Sequence, residues 1–157
     1  MNVKLLLILL VAFCGCSSSA SLKRSPYHYE YKNKFYYLET LYKTTWFKAF
    51  MACSKMGMEL LSIDSDEEFD KIHEFVKDKM EYKNDLEIWT SGVIKEKDQF
   101  GWINSGNPVF SRWHPNQPNN YSGHQFCLNI WYFNKQFLLN DMECDTNMYF
   151  ICESRKV

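Results

Sequence analysis

The sequence contains little glycine or proline and has no repeat or low-complexity tract. Six glycines and four prolines occur among 157 residues, which excludes a collagen-like stalk or a disordered linker. The net charge is only −1, so binding of nucleic acid through bulk charge is excluded, and an anionic membrane surface is not an expected partner. Aromatic residues are instead abundant, at 17% of the chain, and can supply a substantial core. These proportions predict a compact globular domain.

The sequence also lacks an apolar run long enough to cross a membrane. The longest run, residues 5–16, follows Lys4 and is shorter than the roughly 20 residues that a spanning helix needs. Small residues follow it, with Ser18 and Ala20 at the spacing of a signal-peptidase site. We therefore expect a secreted, extracellular protein without a membrane anchor. Its expected parts are a signal peptide at residues 1–20, an N-terminal segment at 21–34 and one domain at 35–157.

Sequence signatures of catalysis are missing as well. No Gly-x-Ser-x-Gly motif, phosphate-binding loop or HExxH helix occurs, and neither His114 nor His124 has a nucleophile paired with it in the sequence. We expect both histidines to be solvated and the protein not to be an enzyme. A group of acidic residues at a predicted helix start is expected to cap that helix rather than to bind a metal: Asp64, Asp66, Glu67 and Glu68.

Four cysteines remain after the predicted signal peptide: Cys53, Cys127, Cys144 and Cys152. An even number in an extracellular chain predicts two disulfides, and four cysteines allow three pairings. A zinc site would need paired cysteines or a Cys/His cluster at short spacing, and the sequence has neither. The count alone leaves the pairing open.

Hydrophobic patterning predicts strands at the start, two helices, and then more strands. Residues 27–37 alternate enough for one or two strands, and residues 46–56, between Thr45 and Gly57, predict a helix. Residues 60–63 predict a short buried strand, after which Ser65 opens a capping box for a second helix.

Beyond residue 84, short apolar pieces separated by Gly, Asn and Pro predict several short antiparallel strands. An irregular stretch interrupts them from about residue 104 to 126, and loops of that length are more often functional than accidental. Three tryptophans, Trp89, Trp102 and Trp113, are expected in the core. The order of elements predicts an α+β fold.

Seven motifs in sequence order resemble the C-type lectin domain family, from about residue 35 to 153. They are Trp46-x-x-Ala49-x-x-x-Cys53-x-x-x-Gly57, residues 60–63 with Ser65-x-Glu67-Glu68, Ile88-Trp89-Thr90-Ser91-Gly92, Trp102, Trp113-His114-Pro115-Asn116-Gln117-Pro118-Asn119, Asn140-Asp141-x-x-Cys144 and Phe150-Ile151-Cys152-Glu153. The third motif is similar to that of insect members. The resemblance implies a short-form C-type lectin fold: two helices, short antiparallel strands, a long irregular ligand-binding loop, and nested disulfides Cys53–Cys152 and Cys127–Cys144.

The resemblance also implies one calcium site, formed by the long loop and the strand after it. Calcium is a hard cation that takes six to eight oxygen ligands, and in the family two sugar hydroxyls complete its coordination. The family's ligand positions are occupied here by Gln117, Asn119, Gln125, Asn140 and Asp141, and Pro118 is expected to be cis. The first four of these residues, together with Tyr121, are expected to contact the sugar.

The residue types at this site depart from the family pattern. Gln117-Pro118-Asn119 combines two family motifs, and Gln125 replaces an acid, so Asp141 is the one obvious carboxylate. Loss of a charged ligand costs about 1.5–3 kcal/mol by analogy with charge-assisted hydrogen bonds. Two such losses predict calcium binding weaker by roughly 10²- to 10⁴-fold.

Two functions follow from these features. The first is a secreted calcium-dependent lectin that recognises glycans on microbial or self surfaces, with a role in innate immunity by family analogy. Gln117 and Tyr121 favour galactose over the mannose/fucose class, although Tyr121 could instead pack the loop. The second is a calcium-independent protein that binds another protein through the same fold. Asn120-Tyr121-Ser122 is a glycosylation sequon, and a glycan on Asn120 would stand beside the site.

Overall fold

The computed structural model describes residues 27–80, 85–96, 99–109 and 112–155, so the predicted signal peptide lies outside the described residues. Within them the chain forms two α-helices and eight strands. They are β1 (His28–Tyr31), β2 (Lys34–Thr44), α1 (Trp46–Lys55), β3 (Met58–Leu60), α2 (Asp66–Lys79), β4 (Leu86–Glu96), β5 (Gln99–Trp102), β6 (Gln125–Phe133), β7 (Gln136–Glu143) and β8 (Met148–Ser154). This confirms the α+β fold with two helices. No helix in these ranges has both the length and the apolar character needed to span a membrane.

The strands form one sheet in the order β1-β2-β8-β4-β6-β7, with β3 added to β8 and β5 added to β4. Most neighbours are antiparallel, as expected, but β4 and β8 pair in parallel. A parallel pair needs a connection of a dozen or more residues, and the whole segment from β5 to β7 lies between these two strands. β2 and β4 are also longer than expected, with 11 residues each.

Both helices form close to where the sequence predicts them. In α1, Trp46, Ala49 and Cys53 are buried, which is the spacing of one helix face. Gly57, at φ +71°, turns the chain out of the helix in a conformation that favours glycine. In α2, Ser65 is the N-cap and its side chain accepts a hydrogen bond from the Glu68 backbone at 3.2 Å.

The strand expected at residues 60–63 is wrong in its position. β3 ends at Leu60, and residues 61–63 are buried without being a strand. Leu61 still bonds to the sheet: it donates to the Ile151 carbonyl at 2.9 Å and accepts from the Ser91 backbone at 2.7 Å. Ser62 instead donates its backbone N–H to the Glu153 carboxylate at 3.0 Å, which interrupts the regular strand pairing after Leu61.

The core contains two groups of buried side chains, and Cys53, Cys127 and Cys152 belong to the second of them. Trp89 and Trp102 are buried, as expected, whereas Trp113 is partly buried and packs against Phe100 at 5.5 Å between ring centroids. The structure confirms the nested pairing: Cys53–Cys152 links α1 to β8, and Cys127–Cys144 links β6 to the turn after β7.

A charged cluster is packed between β2, α2 and β8. The Lys34 ammonium lies 2.7 Å from Glu68, 3.0 Å from Glu153 and 3.1 Å from Asp64, and the first two carboxylates are 6% and 4% exposed. Burial alone would lower the pKa of Lys34, but the Glu153 and Glu68 carboxylates raise it above its ordinary value. The acidic residues at the start of α2 thus form ion pairs as well as capping the helix.

Candidate binding cleft beside the long loop

The long irregular segment predicted from the sequence lies between β5 and β6 and runs along β7. Hydrogen bonds from Leu139 N to Arg112 O at 2.7 Å and from His114 N to Leu139 O at 2.9 Å hold it there. One 3₁₀ turn, Tyr121–Gly123, interrupts it. The Gln117–Pro118 peptide bond is cis, as predicted.

A cleft of about 340 Å³ opens between this loop and the sheet. Its lining residues come from the loop and from three neighbouring strands: Asp85, Glu87, Gln117, Asn119, Tyr121, Gln125, Trp131, Asn140 and Met142. All five side chains that the sequence predicts as sugar contacts are among them. Four of the five predicted metal ligands therefore meet in one place, and Asp141 does not line the cleft.

Within the described ranges, the side chain of Gln117 brings a polar atom without a hydrogen-bond partner into the cleft. Its side-chain oxygen Oε1 is buried and has no hydrogen-bond partner among the described residues. A buried acceptor without a partner costs about 1–3 kcal/mol, and native structures rarely retain one without a reason. A cation or a hydrogen-bond donor bound in the cleft would satisfy this oxygen.

Asp141 lies beneath the loop and holds it to β7. Its side chain is fully buried, and its two carboxylate oxygens accept hydrogen bonds from the backbone of Asn119 at 3.1 Å and of Asn120 at 2.6 Å. Bonds of this charge-assisted type are among the stronger ones in proteins. The loop conformation therefore depends directly on this carboxylate.

The amide side chains of Asn119, Asn120 and Gln125 accept hydrogen bonds from backbone N–H groups of the loop. The Tyr121 N–H is shared between the side-chain oxygens of Asn119 and Gln125, both at 2.8 Å. Asn120, in the left-handed conformation at φ 42°, accepts a hydrogen bond from the Gln125 backbone at 2.9 Å. The Tyr121 side chain itself is 71% exposed, so its ring projects from the loop instead of packing it.

Sequence reasoning missed four residues that line the cleft: Asp85, Glu87, Trp131 and Met142. Glu87 accepts a hydrogen bond from Asn129 at 3.2 Å, and burial raises the pKa of this carboxyl. Trp131 lines the cleft and stacks on Phe133, with ring centroids 4.6 Å apart. Because successive side chains of a strand point to opposite faces, the sequence alone could have placed Glu87 on the same face of β4 as Trp89. The register that brings β4 beside β6 is not visible in the sequence.

The expectation that His114 is solvated is wrong. His114 is buried, its ring centroid lies 5.0 Å from that of Trp131, and its Nε2 is 2.7 Å from the Trp131 carbonyl oxygen. The cause is the neighbouring bridge between Trp113 and Leu139, which draws this part of the loop onto the sheet. His124 is exposed, as expected.

The donor set of the cleft restricts which metal it could hold. Across the part of the chain that the structure describes, no three His, Cys, Asp or Glu residues are grouped to hold a metal ion. Four of the five candidate ligands are amides, which offer neutral oxygen to a cation. Oxygen donors suit calcium, a hard cation, and do not suit the softer metals that prefer sulfur or imidazole. The five predicted ligands therefore fit calcium by atom type but include only one carboxylate, that of Asp141, whereas the carboxylates of Asp85 and Glu87 also line the cleft.

Comparison with known proteins establishes the family. The Lectin C-type domain family matches residues 42–154. The chain belongs to the C-type lectin family. This C-type lectin is 32% identical to C-type lectin 37Db of Drosophila melanogaster, over 98% of this chain and 99% of that protein. It is also 32% identical to Salivary C-type lectin 2 of Aedes albopictus, over 71% and 78% of the two chains. The predicted resemblance to insect members is confirmed.

Solved structures agree on the fold of this C-type lectin. The C-type lectin domain of murine dendritic cell inhibitory receptor 2, solved in complex with an N-glycan, matches it with a TM-score of 0.72 at 21% identity. The match covers 84% of this chain and 98% of that one. The fold predicted from the seven motifs is thus confirmed.

Proposed function

We propose that this C-type lectin binds a carbohydrate in the cleft in a calcium-dependent manner. The observation that carries the proposal is the buried, unpartnered oxygen of Gln117, in a cleft where the side chains of Asn119, Gln125 and Asn140 converge. The N-glycan bound by the murine relative supports a glycan as the ligand class. The relatives are lectins, and no feature of the described residues indicates catalysis.

Calcium would be held by the five residues at the family's ligand positions: Gln117, Asn119, Gln125, Asn140 and Asp141. When bound, the ion supplies coordination to two adjacent sugar hydroxyls. For Asp141 to join it, the ion would take a second lone pair on an oxygen that already accepts a backbone N–H of the loop, because an ionised carboxylate has about four acceptor sites. The neutral ligands place the dissociation constant at or above the millimolar level of weak extracellular calcium modules.

Tyr121 and Trp131 supply the apolar contacts for a sugar ring. Tyr121 is 71% exposed at the rim of the cleft, and Trp131 also lines it. Aromatic rings pack well on the apolar face of galactose, which, together with Gln117, favours galactose over the mannose/fucose class. Replacing Tyr121 with alanine should weaken galactoside binding by roughly two- to tenfold. The matched control Tyr42→Ala, at an exposed tyrosine of β2, should leave binding unchanged.

Asp141 also supports a second candidate function, calcium-independent binding of another protein. Both of its carboxylate oxygens are already used by the loop backbone, so the loop is held in place without an ion. A glycan array run with calcium and with chelator separates the candidates. Glycan binding that chelator abolishes supports the calcium-dependent lectin, and glycan binding that chelator leaves unchanged would refute its calcium dependence. Absence of glycan binding under both conditions would favour the second function.

A thermal denaturation series tests the calcium site directly. If the dissociation constant is about 1 mM, 10 mM calcium stabilises the fold by about 1.4 kcal/mol, or about 4–8 °C. Gln117→Leu should abolish this shift without lowering the stability of the calcium-free protein, because it removes an unpaired buried oxygen. Gln136→Leu, at an exposed glutamine, is the matched control and should retain the shift. A wild-type protein that shows no shift would refute calcium binding at this level.

Secretion, glycosylation and an innate-immune role complete the proposal. Residues 1–20 have the features of a signal peptide, and one insect relative is named a salivary lectin. Glycosylation at Asn120 rests on the sequon, and the side chain of Asn120 is half-buried in the loop. Mass spectrometry of the secreted protein tests both the cleavage site and this acceptor.

A further inference from the structure

A line of hydrogen bonds crosses three neighbouring strands at the cleft. Asn140 Nδ2 donates to Asn129 Oδ1 at 3.1 Å, and Asn129 Nδ2 donates to Glu87 Oε1 at 3.2 Å. We call Glu87, Asn129 and Asn140 the hydrogen-bond relay. The relay follows from the register of the sheet. Asn129 on β6 lies directly opposite Asn140 on β7. On its other side Asn129 lies opposite Trp89 of β4, which is two residues from Glu87. Opposite and diagonal neighbours on one sheet face lie within reach of each other.

The members of the relay have different positions relative to the cleft. Glu87 and Asn140 line it, whereas Asn129 is fully buried. Asn140 is also buried, at 3% exposure, so its amide has few alternative partners. The charged groups that act on Glu87 are Lys43 and Asp85, and Asp85 accepts a hydrogen bond from Trp131 Nε1 at 3.4 Å.

The chemistry of a carboxylate fixes the direction of the relay. An ionised carboxylate only accepts hydrogen bonds, whereas an amide side chain has a donor end and an acceptor end. Asn129 must therefore turn its NH₂ group to Glu87, which leaves its oxygen for Asn140. Asn140 in turn must direct its NH₂ group to Asn129. The carbonyl oxygen of Asn140 is then the end left for a ligand in the cleft.

We propose that Glu87 is a positioning residue that acts through Asn129 to orient the Asn140 amide with its oxygen toward the cleft. This inference rests on the proposed calcium-dependent function, because it explains how the Asn140 amide would present its oxygen and not its NH₂ group to the ion. Partners that orient metal ligands from behind typically change metal affinity 10- to 100-fold when they are removed.

Two variants test the relay through calcium affinity. Glu87→Met removes the acceptor that sets the direction, and we expect the calcium dissociation constant to rise at least tenfold. The double variant Glu87→Gln/Asn129→Asp moves the carboxylate to position 129, where it still accepts only and again faces the Asn140 NH₂ group. We expect it to restore affinity to within about threefold of wild type. Glu96→Met, at an exposed residue of the same strand, is the matched control and should bind calcium as wild type does.

The stability of the calcium-free protein separates positioning from a structural role. Glu87→Met leaves the NH₂ group of the fully buried Asn129 without its acceptor and should lower this stability. Val76→Ala, at a buried residue of α2 away from the cleft, is therefore the comparison: it should also lower stability but bind calcium as wild type does. Equal loss of affinity in Val76→Ala and Glu87→Met, or failure of the double variant to restore affinity, would overturn the assignment.

The Asn140 side-chain NH₂ resonances in ¹⁵N NMR spectra give a readout that needs no calcium. They should show a slowly exchanging, hydrogen-bonded NH₂ group in wild type and in the double variant, and lose that signature in Glu87→Met. If wild type does not bind calcium but the resonances respond as expected, the calcium proposal fails and the orientation stands. Resonances that do not respond to Glu87→Met would overturn the orientation itself.

Discussion

Replacement of Lys34 with methionine should destabilise the fold by about 3–5 kcal/mol at pH 7.5, which is the cost of removing one partner from a buried ion pair. The Lys34 ammonium is shared by three carboxylates, and the carboxylates of Glu68 and Glu153 are 6% and 4% exposed. Each has further bonds that hold it in place. Tyr36 donates to Glu68 at 2.6 Å, and the Ser62 backbone donates to Glu153 at 3.0 Å. Without Lys34, the buried Glu68 carboxylate loses its ammonium partner, and Glu153 must take up a proton or remain as an unpaired buried charge.

The loss of stability caused by Lys34→Met should be larger at pH 7.5 than at pH 5. Burial raises the pKa of Glu153 to about 7, against about 4.3 in an unfolded chain. The Glu153 carboxyl therefore binds its proton more tightly in the folded protein than in the unfolded chain. Its contribution to the free energy of unfolding is fully present below about pH 4 and is lost as pH rises through 7. The wild-type free energy of unfolding should therefore fall by about 3 kcal/mol from pH 4 to 7 on account of this group. At pH 5 Glu153 is neutral with or without Lys34, so Lys34→Met then removes only the pairing with Glu68 and Asp64 and should cost less than at pH 7.5.

Urea denaturation followed by tryptophan fluorescence at pH 5, 6 and 7.5 measures both effects with the disulfides intact. Lys32→Met is the matched control, because the Lys32–Glu67 pair is 63% and 60% exposed and exposed pairs contribute at most about 1 kcal/mol. The double variant Lys34→Met/Glu153→Gln should recover part of the loss at pH 7.5. Equal penalties for Lys34→Met and Lys32→Met, or a Lys34→Met penalty that is the same at pH 5 and 7.5, would refute this reasoning.

Three further predictions concern the loop, the disulfides and the sheet. Asp141→Asn should cost about 2–3 kcal/mol and speed hydrogen exchange at the Asn119 and Asn120 amides, whereas Asp145→Asn, at an exposed position, should do neither. Serine at both Cys53 and Cys152 should cost about 4–5 kcal/mol, against about 3 for serine at both Cys127 and Cys144, because the first loop is longer; denaturation midpoints in the reverse order would contradict this. Gly92→Ala would place a Cβ atom 2.5 Å from Leu128 and should cost about 1–3 kcal/mol, which Leu128→Ala should partly relieve.

The elements that depend on local sequence were predicted well. The helix over residues 46–55 follows from the spacing of Trp46, Ala49 and Cys53, and the entry to α2 follows from the capping residue Ser65. The long irregular segment before β6 follows from its Gly, Asn and Pro content. The disulfide pairing required the family resemblance, since four cysteines alone allow three arrangements.

The features that depend on long-range contacts could not be predicted from the sequence. Lys34 and Glu153 are 119 residues apart, and neither position carries a local signal of the other. Glu87 and Trp131 enter the cleft because of the register between β4 and β6. Asp141 stays a predicted metal ligand, and its bonds to the loop backbone are visible only once the loop has been folded onto β7.

The Cys53–Cys152 bond makes most of the domain a covalent ring. It joins residues 99 positions apart, and the loop that carries Gln117 and Tyr121 lies inside that ring. A single proteolytic cut in this loop would therefore release no fragment, and the two halves would stay linked through α1 and β8. The exposed residues 121–124 of this loop could therefore be cut while the sheet and its disulfides keep the chain in one piece.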